Sequence, residues 1–88
     1  MVKVKLNTTN VQFYSEEIII NFPESPLVGD EISILNFIPY QTDEREQFLY
    51  EIEKNQLSFN GVITKRFWFS NNPKSEPILL IDVKLLQN

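Results

Sequence analysis

Hydrophobic and polar residues alternate along much of this chain, and the points where the alternation slips mark its elements. Val2, Val4 and Leu6 alternate with Lys3 and Lys5. That period of two predicts a half-buried strand with a charged outer face. Asn7–Asn10 is rich in turn-forming residues. Val11 and Phe13, alternating with Gln12 and Tyr14, predict a returning strand and hence a hairpin. The phase slips at Ser15-Glu16-Glu17, as at a bulge or strand break, and Ile18, Ile20 and Phe22 then share a face. Pro23-Glu24-Ser25-Pro26 predicts a loop, because two prolines remove two ladder donors. Val28-Gly29-Asp30 reads as a tight turn into a strand over Glu31–Ile38, with Ile32, Ile34 and Ile38 on one side and Leu35 and Phe37 on the other. A strand apolar on both sides needs cover on both. The run Pro23–Ile32 resembles the turn-into-strand of many small β-barrels, a local likeness that carries no functional residue.

Tyr40–Gln56 changes period. Thr42 or Asp43 can cap a helix over about residues 43–55, with Glu46 placed as in a capping box. Phe48, Leu49 and Ile52 then form a narrow apolar stripe, and Glu44, Arg45, Glu51 and Lys54 face water. Phe48, Tyr50 and Ile52 also alternate, which leaves a strand over 47–53 as the alternative. The abundance of Glu, Arg, Gln, Leu and Lys favours helix. Asn60-Gly61 is a turn signal. Val62–Ser70 follows as a strand, with Ile63, Phe67 and Phe69 on one face and Val62, Thr64, Arg66 and Trp68 on the other. Asn71–Ser75 joins it to a last strand, Ile78–Leu86, in which Leu79, Ile81, Val83 and Leu85 point one way and Asp82 and Lys84 the other. The expected fold is mainly β (α+β). It is a small, strongly bent antiparallel sheet or partly open barrel of about 5–6 strands, roughly SH3-like or OB-like in size, with one short helix as cover.

Length and composition narrow the function classes. The chain has 88 residues, 42% hydrophobic and 23% charged, which suits one globular domain. Its apolar runs are too short to span a bilayer, and the alternating N-terminus lacks a signal-peptide core. A soluble, cytoplasmic protein is the default expectation. It has neither cysteine nor histidine, which removes thiolate nucleophiles, disulfides, the usual zinc ligands and the commonest general base. Only two glycines are present, Gly29 and Gly61, too few and too far apart for a phosphate-binding loop. A net charge of −4 disfavours broad contact with a phosphate backbone.

Three groups of residues remain as candidates. On a helix, Glu44 and Glu51 stand a heptad apart, as do Glu46 and Glu53. Such pairs could hold a hard cation or divide acid and base roles, although a solvated face balanced by Arg45 and Lys54 explains them more simply. Lys65-Arg66-Phe67-Trp68-Phe69 sets cations beside aromatics, as single-strand binders do. Here the simpler reading is that Phe67 and Phe69 fill the core and the stem of Arg66 packs along Trp68. Finally, Tyr14, Tyr40, Tyr50 and Trp68 could be partly exposed, and Trp68 beside Val62 and Arg66 could then form a contact patch, since aromatics and Arg are enriched at binding hot spots; equally, Trp68 could complete a second small core under the helix. Lys3 and Lys5 fit either an edge gatekeeper or an ordinary wet face.

The resulting expectation is a non-catalytic protein–protein interaction module, homodimeric or adaptor-like, with Arg66, Trp68, Val62 and Tyr50 as binding residues and no cofactor or metal. The alternative is a nucleic-acid-related role. It would work through an Arg66/Trp68 strand face or through acidic mimicry by Asp43, Glu44, Glu46, Glu51 and Glu53.

Overall fold

A computed structural model describes residues 1–11, 19–38 and 40–87. Its strands are β1 (Val2–Thr8), β2 (Ile19–Phe22), β3 (Glu31–Ser33), β4 (Leu57–Phe69) and β5 (Ile78–Gln87). A 3-10 turn, Ile34–Phe37, and a helix, α1 (Asp43–Lys54), lie between β3 and β4. The five strands form one curled sheet in the order β2-β1-β5-β4-β3, a half-barrel. The mainly β class with one helix is as expected. The sheet is mixed, however: β1 runs parallel to β5, with Val4 opposite Leu79 and Thr8 opposite Val83, and the other pairings are antiparallel.

The strand alternation of β1 and β5 survives intact. Val4, Leu6, Leu79, Ile81, Val83 and Leu85 are all buried on the inner side, joined by Ile32, Ile34, Ile38, Phe48, Ile52 and Ile63. The β1–β5 ladder continues past β1. The Thr9 N–H donates to Val83 O at 3.0 Å. The Asn10 side chain then stands in for another strand residue, donating from Nδ2 to Leu85 O at 2.9 Å and accepting from Leu85 N–H at 3.0 Å. The partner of β1 on its other side is β2. The returning strand expected at Val11–Tyr14, and the slip at Ser15–Glu17, lie outside the described residues apart from Val11.

The predicted strand over Glu31–Ile38 is cut short. After Ser33 the chain turns into the 3-10 segment, which puts Ile34, Phe37 and Ile38 at the spacing of one helical face. Ile34 and Ile38 are buried, and the Phe37 ring meets Phe22 of β2 at 5.3 Å between centroids. A straight strand would have divided these apolar residues between two sides, and one side would lack cover. The turn sends them all to the same core.

Helix α1 begins where expected. Thr42 is its N-cap, the hydroxyl accepting from Arg45 N–H at 3.2 Å. Acidic residues Asp43, Glu44 and Glu46 occupy the first turn and Lys54 the last, as the helix dipole favours. Phe48 and Ile52 enter the core, while Leu49 stays 39% exposed at its margin. Arg45 does not simply face water. Its guanidinium donates from Nη1 to Leu35 O and Ile38 O, both at 2.9 Å, and lies 4.4 Å from the Tyr40 ring centroid. It ties the helix to the last carbonyls of the 3-10 turn.

Asn60-Gly61 is not a turn. It lies inside β4, where Gly61 is opposite both Leu85 and Ile32. A Cβ there would stand 2.4 Å from Val83 Cγ1, so glycine is selected by close packing instead of by turn geometry. The tight turn expected at Val28-Gly29-Asp30 is present before β3 and spans Leu27–Asp30. Asp30 N–H donates to Leu27 O at 3.0 Å, the Asp30 carboxylate accepts from Leu27 N–H at 2.9 Å, and Gly29 supplies φ 98°.

Candidate interaction surface

Two strands of the half-barrel run long. β4 and β5 pair from Ile63/Val83 out to Phe69/Ile78, whereas β3 pairs with β4 only at Asn60–Val62. Beyond it, Ile63 exchanges backbone bonds with Gly29 and Asp30, at 2.8 and 2.9 Å. Among the described residues no backbone hydrogen bond reaches Lys65–Phe69 from that side. This stretch of β4 is therefore an edge with one row of backbone groups free to pair.

Its side chains are arranged by an irregularity. The register with β5 shifts between Ile63 and Lys65, so Thr64 is an extra residue that reverses the phase of the strand. Directly opposite residues in an antiparallel pair share a face. Ile63, opposite Val83, points inward. After the shift Arg66 lies opposite Ile81 and Trp68 opposite Leu79, so these two are on the inner side. Phe67 and Phe69 lie opposite Leu80 and Ile78, on the outer side with Val62. Phe67 and Phe69 are thus not core residues. The strand ends in three consecutive aromatics, Phe67, Trp68 and Phe69, which are 49%, 50% and 43% exposed.

The expected site residues separate accordingly. Arg66 and Trp68 do share a face two residues apart, with Arg66 half-buried and Trp68 at its rim. Val62 is on the other side of the sheet, opposite Lys84 and Glu31. Tyr50 sits on α1, two residues from both Phe48 and Ile52 and so turned away from the core, with the Lys54 ammonium 5.9 Å from its ring centroid. The four do not form one patch. Sequence reasoning missed Phe67 and Phe69, yet a signal was present. Thr64-Lys65-Arg66 is a run of three polar residues after Ile63, of the same kind as the slip at Ser15–Glu17.

The acidic residues of α1 do not converge. Glu46 and Glu53 are exposed, and Glu51 meets Asn55 at its C-terminal end. No group of three or more acidic side chains among the described residues is placed to hold a metal. An open groove of about 440 Å³ lies between β2, the following loop and the 3-10 turn, lined by Phe22, Pro23, Pro26 and Phe37 with Glu24, Asp30 and Glu31. Of its carboxylates, Asp30 is already engaged in the turn. No helix among the described residues is long and apolar enough to cross a membrane. Comparison with protein-family models, with curated proteins and with solved structures gave no match to this chain.

Proposed function

We propose that this protein is a non-catalytic interaction module that docks a protein partner on the end of β4. The observation that carries the reading is the row Phe67, Trp68 and Phe69, each close to half exposed on a strand with an unpaired edge. A monomeric fold gains nothing from holding three large aromatics in water, whereas an added strand would cover both their faces and the free backbone groups. Arg66 and Lys65 beside them supply the polar part of such a contact.

A photoreactive phenylalanine analogue at position 69 tests this in the cell of origin, with the same analogue at Tyr40 as control. Discrete protein cross-links from position 69 that are lacking from position 40 are expected. Cross-linking that is equal at the two positions would refute the reading.

One observation favours a second reading. Arg66 and Trp68 share the inner face, as base stacking with a phosphate contact requires. Trp68 is the sole tryptophan, so its fluorescence reports directly. Salt-sensitive quenching by a single-stranded oligonucleotide would support this alternative, and unchanged emission would dismiss it.

A further inference from the structure

We infer that the partner taken by the β4 edge is a second copy of this chain, paired antiparallel about a two-fold axis through Phe67. The inference rests on the interaction reading above and specifies its partner. In a sheet continued across two copies, residues opposite one another must share a face. Only registers that match even with even or odd with odd positions satisfy this. Centring on Phe67 sets Arg66 against Trp68 of the second copy and Lys65 against Phe69 of the second copy, twice each by symmetry. Every cation then meets an aromatic ring, which attracts it, and no like charges are opposed. Centring on Arg66 would oppose two guanidinium groups, which destabilises a cross-strand pair. Centring on Trp68 would leave Arg66 and Lys65 facing Ser70 and Asn71 of the second copy, and the cation–ring pairs are lost.

The contact is small. Three half-exposed aromatics offer roughly 300 Å² per copy, or ~600 Å² in all, well short of a standard stable interface. The dimer is therefore weak and set by concentration.

The absence of cysteine makes the register directly readable by disulfide trapping. Opposed Cα atoms lie ~4.5–5.5 Å apart, within reach of a disulfide, whereas diagonal neighbours at ~7–8 Å are not. Phe67→Cys keeps Arg66 and Trp68 and should give a covalent dimer under mild oxidation, far above the yield from Lys3→Cys on the outer face of β1. If Phe67→Cys folds poorly, an equimolar mixture of Arg66→Cys and Trp68→Cys serves instead, and the mixed dimer should predominate over either homodimer. The weight-average mass of the unmodified chain should rise with concentration in sedimentation equilibrium. Predominant disulfide homodimers of Arg66→Cys or of Trp68→Cys would overturn the register. No trapping above the Lys3→Cys control, with a mass that stays monomeric at every concentration, would overturn the dimer. Photo-cross-links from position 69 to a different protein, without self-cross-links, would also overturn the dimer while leaving the interaction reading standing.

Discussion

Replacing Gly61 by alanine should destabilise the fold through one contact. The added Cβ would sit 2.4 Å from Val83 Cγ1, 3.0 Å from Lys84 O and 3.3 Å from Leu85 Cδ2. Val83 is fully buried and the Lys84 carbonyl belongs to the β5 ladder, so neither can simply swing away. Overpacking of this kind costs about 2 kcal/mol. A domain of 88 residues has roughly 4–13 kcal/mol in total, so the melting temperature should fall by about 8–16 °C. The cause is separable by a double-mutant cycle in urea. Val83→Ala alone costs about 2 kcal/mol by opening a cavity. In Gly61→Ala/Val83→Ala the clash and the cavity offset each other, and the pair should be less destabilised than the sum of the singles by about 1 kcal/mol or more. Gly29→Ala is the contrast. Its φ is 98° with nothing near the new Cβ, so it should cost about 1 kcal/mol through backbone strain and show no coupling to Val83. Additivity of Gly61→Ala with Val83→Ala would refute the close-packing argument.

Other elements give further expectations, each readable by urea denaturation. Arg45→Ala should cost about 2–3 kcal/mol because Ile38 O loses its charged donor and Leu35 O is left with the 3.3 Å bond from Ile38 N–H, and Arg45→Lys should recover less than half, since an ammonium cannot serve both carbonyls and the Tyr40 ring together. Asn10→Ala should cost ~1 kcal/mol by ending the side-chain extension of the β1–β5 ladder. Gln56 holds φ 56° just past the end of α1, so Gln56→Gly should stabilise the protein by about 1 kcal/mol. Trp68→Ala should cost about 1–3 kcal/mol, short of the roughly 3–5 kcal/mol of a fully buried aromatic, because half of the side chain is already in water. A larger loss would mean that Trp68 is part of the core.

The parts of this fold that the sequence discloses are those in which local pattern and tertiary demand agree. Leu79, Ile81, Val83 and Leu85 alternate because one face of β5 is dry along its whole length. Thr42, the acidic first turn and the Phe48/Ile52 spacing predict α1 because capping, dipole and burial point the same way. Where they conflict, the local signal misleads. Asn60-Gly61 has the composition of a turn, yet the need for room beside Val83 explains the glycine. Ile32, Ile34 and Ile38 have the composition of a strand, yet Ile34, Phe37 and Ile38 share one core only if the chain coils after Ser33. The candidate site suffered the same way. One extra residue at Thr64 moves Phe67 and Phe69 from the core to the outer face and leaves Trp68 at the rim, and strict alternation past Ile63 could not register that step. Arg66 and Trp68 were legible as a pair, while Val62 and Tyr50 belong to other surfaces. The parallel β1–β5 pairing is invisible to periodicity, which reads a strand's faces and not its neighbours.

Residue-resolved amide hydrogen exchange along Lys65–Phe69, followed from dilute to concentrated protein, tests the unpaired β4 edge most directly. In dilute solution the amides bonded to β5 should be protected, while those facing away exchange at the rate of open chain. At high concentration this second group should gain protection as a second strand arrives. Full protection of every amide from Lys65 to Phe69 at the lowest concentration would contradict the unpaired edge, and no response to concentration anywhere in the segment would contradict its pairing with a second copy.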